Sequence, residues 1–173
     1  VTILQPLPYF PVLRPLPGWA REPGHEHAGR RVEHAPMFYL PGILKSFDPE
    51  SGKLQWTFHS TPPVGTEGSI SGGATGGQMW MTGTYDPELN LLYVGTGNPT
   101  PVLNGEARPG DNKWTCSIVA LNPDTGKLVW GFQVSPHDTH DWDAAEVPVL
   151  VDGVFNGAPR KMVLQASRNG YYV

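Results

Sequence analysis

The thirteen residues Ser46-Phe47-Asp48-Pro49-Glu50-Ser51-Gly52-Lys53-Leu54-Gln55-Trp56-Thr57-Phe58 return 74 positions later as Ala120-Leu121-Asn122-Pro123-Asp124-Thr125-Gly126-Lys127-Leu128-Val129-Trp130-Gly131-Phe132. An internal repeat constrains the fold before any single residue constrains the chemistry. Each copy must be one supersecondary unit that hides its apolar face against a neighbour. Both copies read as a strand, an Asp/Asn-Pro-x-x-Gly turn and a second strand ending in tryptophan, with proline preset for the first turn corner and glycine free to take positive φ. Each is therefore a β-hairpin. A third hairpin is expected between them, where 80–85 and 91–95 flank the turn Asp86-Pro87-Glu88-Leu89-Asn90.

The 173 residues are enough for one domain or part of a larger one, and 39% hydrophobic content forms a core but no membrane span. The chain reads as soluble. A formal net charge of −4 supplies no basic stripe for a phosphate backbone, which argues against a nucleic-acid partner. The 21 glycines and 19 prolines suit many tight turns between short strands, and no segment shows sustained helical periodicity. The single cysteine, Cys116, rules out an intrachain disulfide. It lies in the stretch Thr115-Cys116-Ser117-Ile118-Val119-Ala120 and reads as a small strand residue rather than a reactive thiol. The N-terminus lacks the basic region and uninterrupted apolar run of a secretory signal.

Residues 1–42 behave differently from 43–173. Eight prolines (Pro6, Pro8, Pro11, Pro15, Pro17, Pro23, Pro36, Pro41) fall in the first part, around a Gly/His/Arg stretch. Such density removes backbone donors and predicts an extended or poorly ordered lead-in. His25, His27 and His34 read as a solvated loop, since no cysteine or well-spaced carboxylate completes a coordination set. From residue 43 onward, runs such as Leu91-Leu92-Tyr93-Val94, Met162-Val163-Leu164-Gln165 and Tyr171-Tyr172-Val173 are strand-like and bounded by turn residues. The sequence stops within the last of these runs, which suggests a partial product.

Repeated units of this kind build a β-propeller. Trp56 and Trp130, 74 residues apart, leave room for about two to three blades, so an all-β propeller segment is expected. Five further motifs occur in order: Trp80-Met81-Thr82-Gly83-Thr84-Tyr85-Asp86-Pro87-Glu88-Leu89-Asn90-Leu91-Leu92-Tyr93, Gly95-Thr96-Gly97-Asn98-Pro99-Thr100-Pro101, Arg108-Pro109-Gly110-Asp111-Asn112-Lys113-Trp114-Thr115, Pro136-His137-Asp138-Thr139-His140-Asp141-Trp142-Asp143 and Arg168-Asn169-Gly170. Together they resemble the pyrroloquinoline quinone (PQQ) dependent, or quinoprotein, alcohol dehydrogenases of the methanol and ethanol dehydrogenase kind. The repeat itself is similar to the tryptophan-docking element of that eight-bladed propeller family.

The resemblance implies roles position by position. Asn98 matches an amide ligand to an active-site cation, a suitable donor for hard Ca2+; read alone, it is a turn-former before proline. Trp80, 18 residues before Asn98, matches the tryptophan on which the planar quinone lies. Arg168 matches the arginine that hydrogen-bonds the quinone carbonyls, where its fork of donors stabilises oxygen charge. Read alone, it is a surface arginine at a hairpin turn. Trp56 and Trp130 are left to blade docking.

The densest chemical cluster is Asp138, Asp141 and Asp143 with His137 and His140. The family's catalytic base, which also faces the metal, is the acid after a tryptophan, which selects Asp143. The loop is about two residues longer than in the methanol branch, so Asp141 stays open as an alternative base. A self-capping turn and a hydrolytic metal site are the other readings, but the spacing fits no zinc pattern. Lanthanide-using members carry an extra aspartate two residues beyond the base; Ala145 stands there, which favours calcium.

The acidic calcium ligand expected upstream of the first repeat and the family's adjacent-cysteine pair do not align with this sequence. Weak metal affinity and no alcohol turnover by the chain alone are therefore expected. The resemblance further implies oxidation of primary alcohols in the periplasm, with electrons leaving to a cytochrome c or a membrane quinone. A non-catalytic propeller scaffold is the competing class, one that should lack the set Trp80, Asn98, Asp143 and Arg168. A quinoprotein sugar dehydrogenase is the third reading. Substrate, electron acceptor and oligomeric state are not legible.

Overall fold

A computed structural model describes residues 2–4, 41–67, 69–70 and 74–173. Eleven strands are found among them: β1 (Thr2–Leu4), β2 (Ile43–Phe47), β3 (Leu54–His59), β4 (Thr75–Gly76), β5 (Thr84–Asp86), β6 (Leu91–Gly95), β7 (Pro99–Thr100), β8 (Ser117–Leu121), β9 (Leu128–Gln133), β10 (Val149–Phe155) and β11 (Ala158–Leu164). The only helical element among the described residues is a 3₁₀ turn at Gly105–Ala107. Strands β1-β2-β3 form one antiparallel sheet, β5-β6-β8-β9 a second, β10-β11 a hairpin, and β4-β7 a short pair. Apart from β1, the lead-in, including His25, His27 and His34, lies outside the described residues.

The two repeats fold alike down to their turns. Gly52 donates to the Asp48 carbonyl at 2.9 Å and Gly126 to the Asn122 carbonyl at 2.8 Å, with φ of 67° and 68°. Only glycine takes that backbone conformation without strain. The Asp48 carboxylate accepts Ser51 N–H, and the Asn122 amide oxygen accepts Asp124 and Thr125 N–H, so the turns are closed by their own first side chain. Both hairpins also carry a register shift at the same repeat position, between Ser46 and Phe47 and between Ala120 and Leu121. The third turn uses the same device. Asp86 Oδ1 accepts Glu88 and Leu89 N–H, and Asn90 takes φ of 52° in place of glycine.

The main core lies between the two sheets. Leu44, Trp56 and Phe58 of the first face Leu92, Val94, Val119 and Leu121 of the second, with Met79 beside them. Trp56 is the joint. Its Nε1–H donates to the Pro123 carbonyl at 2.7 Å, in the turn of the next repeat. Its ring presses so closely on Gly126 that a Cβ there would sit 2.5 Å from the indole. Trp130, the same position one repeat on, is 38% exposed and leans on Tyr93 at 5.7 Å between ring centroids. The other face of the second sheet meets the β10-β11 hairpin across a cleft of about 600 Å³ lined by Tyr93, Ile118, Trp130, Phe132, Leu150 and Met162.

Three local expectations are corrected. The first strand of the middle hairpin spans Thr84–Asp86 rather than 80–85, because Trp80 leaves the ladder to lie against Gly97. Cys116 precedes β8 at φ of 45° instead of sitting in an alternating strand, and β8 is buried throughout because it is covered on both faces. The final run Tyr171-Tyr172-Val173 makes only a single bridge, Ala166 to Tyr172, flanked by reciprocal bonds between Gln165 and Val173.

Candidate functional site

Beyond β6 the chain continues as a backbone bridge. Thr96 donates to the Ser117 carbonyl at 2.8 Å and Cys116 to the Gly97 carbonyl at 2.8 Å; on the other side Gly97 donates to Gln78 and Gly77 to Asn98. These bonds fix the Thr96-Gly97-Asn98 stretch between two neighbours at the end of the four-stranded sheet. Gly97 is the contact point. A Cβ there would lie 2.5 Å from Trp80 Cζ3 and 3.1 Å from Asp143 Oδ1, so its bare backbone lets the indole and the carboxylate approach from two sides.

Asp143 is 5% exposed. Its Oδ1 accepts the Asn98 N–H at 2.9 Å, and its Oδ2 accepts a hydrogen bond from Arg168 Nη1. Burial pushes its carboxyl above the ordinary value, while the Asn98 N–H and the Arg168 guanidinium pull the other way. In turn, the bond to Asp143 raises the Arg168 pKa. Arg168 does sit in a hairpin turn, closed by Ser167 N–H to the Tyr171 carbonyl and Gly170 N–H to the Ser167 carbonyl. The turn aims it back at Asp143. Trp80 is 36% exposed, leaving part of its ring open beside this cluster.

The acidic cluster divides by environment. Asp138, 3% exposed, closes its own loop by accepting His140 N–H and Trp142 N–H, both at 3.1 Å, which is the self-capping arrangement. Asp141 is exposed at φ of 67°, with Arg168 Nη2 3.9 Å from its Oδ2. His137 Nδ1 pairs with the Gly110 carbonyl at 2.8 Å, and His140 stacks on Trp142 at 4.2 Å. Among the described residues no group of three or more His, Cys, Asp or Glu side chains is placed to hold a metal. Asn98 and Asp143 are the residues of this cluster whose side-chain oxygens could contribute to the oxygen shell a Ca2+ ion requires.

Three residues in or beside the quoted motifs, Gly97, Arg108 and Gln165, shape this region although no role is legible for them in the sequence. Gly97 has the signal of a glycine flanking the candidate ligand, and Arg108 opens the third motif. Gln165, immediately before the Ala166-Ser167-Arg168 approach, had no visible signal at all.

Two antiparallel sheets joined through a tryptophan-to-turn contact, with a buried carboxylate paired to an arginine at one sheet's end, define a β-propeller segment with a candidate site. The family described as glucose/ethanol/alcohol dehydrogenase, β-propeller domain, matches residues 28–173, and the chain belongs to this PQQ family. It is 40% identical over 152 residues to quinohemoprotein alcohol dehydrogenase ADH IIB of Pseudomonas putida, covering 76% of this chain and 22% of that protein. It is 35% identical over 153 residues to the lanthanide-dependent methanol dehydrogenase of Methylorubrum extorquens, covering 74% and 25%. The crystal structure of quinohemoprotein alcohol dehydrogenase from Comamonas testosteroni superposes with a TM-score of 0.71 at 36% identity, over 78% of this chain and 23% of that one. The chain thus spans about a quarter or less of the length of these relatives.

Proposed function

We propose that this chain forms one wall of the active site of a PQQ- and calcium-dependent dehydrogenase that oxidises primary alcohols to aldehydes. The observation that carries the reading is the meeting of Asp143, Asn98, Arg168 and Trp80 around Gly97. PQQ, when bound beside Ca2+, supplies a carbonyl polarised to accept hydride from the alcohol carbon. The chain's own residues do the rest. Trp80 offers a flat apolar face for the ring system, and Arg168 offers guanidinium donors to its oxygens. Asn98 and Asp143 hold the cation through the amide oxygen and the carboxylate.

Asp143 also takes the hydroxyl proton of the substrate. Without a cation beside it, burial raises its carboxyl above the ordinary aspartate value, and Asn98 N–H fixes its direction. Exposure favours Asp143 over Asp141, whose carboxylate stands in solvent. Ala145, buried at 3% exposure, adds no negative charge near the cation, which supports a divalent ion rather than a trivalent one. The whole protein is proposed to pass electrons to a cytochrome c or a membrane quinone in the periplasm. No helix among the described residues is long and apolar enough to cross a membrane.

The test is a titration of the 173-residue chain with PQQ in the presence and absence of CaCl2, followed by tryptophan fluorescence. Saturable, calcium-dependent quenching that is lost in Trp80→Leu is expected. Absence of binding, or binding indifferent to both calcium and Trp80, would favour a non-catalytic scaffold.

A further inference from the structure

We infer that Arg108 and Gln165 are positioning residues that grip the Asp143 loop from both ends and set the place of its carboxylate over Asn98. The inference rests on the reading of Asp143 as the proton acceptor. Residues 137–146 contain no strand or helix, and two of them, His137 and Asp141, take φ of 50° and 67°. A loop with left-handed residues at non-glycine positions does not hold this shape by itself. Asp138 caps the stretch to Trp142 from within, and the place of Asp143 beyond it is set from outside.

Upstream, Arg108 is fully buried, and its Nη2 donates to the Asp138 carbonyl. Three more donors go to the Pro101 carbonyl at 2.8 Å, the Val102 carbonyl at 2.5 Å and Asn112 Oδ1 at 2.7 Å. Among the described residues no carboxylate forms an ion pair with it. A buried guanidinium bonded to three main-chain carbonyls and one side-chain amide serves geometry rather than charge pairing.

Downstream, Gln165 is 1% exposed, and its Nε2 donates to the Ala144 carbonyl at 3.0 Å and the Glu146 carbonyl at 2.7 Å. Both of its N–H groups thus go to the two residues that bracket position 145, just beyond Asp143. The Gln165 Oε1 is buried and has no partner among the described residues. An apolar side chain of the same size would avoid that orphaned acceptor, so packing alone does not account for an amide here. Gln165 is itself held by paired backbone bonds with Val173 at 2.9 and 3.0 Å.

Between the two grips there is little slack. Ala144 N–H donates to the Thr96 carbonyl at 3.1 Å, and Gly95 lies so near that a Cβ would stand 2.1 Å from the Ala144 carbonyl oxygen. Asp143 is thereby delivered to Asn98 N–H. Displacement of a reacting group by about 1 Å can cost about a hundredfold in rate, so such clamping matters to the chemistry.

Backbone amide hydrogen exchange on the isotope-labelled chain tests this without any cofactor. In Gln165→Met, Asn98 N–H is expected to exchange at least about tenfold faster, because its acceptor has drifted, while Val94 and Val119 in β6 and β8 change less than about twofold. An unchanged Asn98 rate overturns the inference. Equal acceleration at all three positions overturns it too, since Gln165 would then support the fold at large. Arg108→Lys keeps the charge but not the fork, and should give the same selective pattern; it decides the matter if Gln165→Met does not fold. A parallel PQQ titration should show about tenfold weaker calcium-dependent quenching in either variant. If the unaltered chain binds no PQQ, the proposed function falls, and the exchange rates still decide what holds the loop.

Discussion

Asp141 and Asp143 are two positions apart in the chain but have different surroundings. The buried one is bonded to Asn98 N–H and Arg168, whereas the exposed one has only a distant guanidinium contact. Hydrogen bonds to charged groups are worth about 1.5–3 kcal/mol, so Asp143→Asn should weaken calcium-dependent PQQ binding by about tenfold or more. Asp141→Asn should change it by less than about twofold, and fluorescence titration of both variants reads the difference. Cys116 is fully buried, and burial pushes its thiol well above the ordinary value. Thiolate, not thiol, is the nucleophile. Iodoacetamide at pH 8 should therefore leave the folded chain unlabelled and modify Cys116 once denaturant is added, as mass spectrometry would show.

Among the elements, the joint between repeats carries the most consequence. Gly126 combines φ of 68° with an indole ring where its Cβ would be. Gly126→Ala should destabilise the chain by about 1–3 kcal/mol through overpacking and backbone strain. Trp56→Phe removes the donor to the Pro123 carbonyl and should cost about 1–3 kcal/mol, both effects being read from chemical denaturation. The hairpins were legible because their turns are chemical: Asx side chains close them and glycine or asparagine supplies the positive φ. The end of the middle hairpin was not. Trp80 continues the strand pattern, and only the bare surface of Gly97, distant in sequence, explains why it leaves the ladder.

For the molecule as a whole, Asn98 and Asp143 are the only proposed cation ligands among the described residues, and Ca2+ takes six to eight oxygens. Purified chain supplied with PQQ, CaCl2 and ethanol should show no dye-linked oxidation above the protein-free rate; turnover would mean that other residues complete the site. The propeller segment and the four clustered side chains were traceable from motifs because those residues are chemically distinctive. Arg108 and Gln165 were not, since carbonyls are their partners and every residue carries one. Trp56 finds its acceptor one repeat ahead, whereas no described carbonyl receives the indole N–H of Trp130, and Val129 and Phe132 beside it are more than half exposed. Trp130 and Phe132 line a cleft that the β10-β11 hairpin roofs only in part, and a further turn could seat there as Pro123 seats on Trp56.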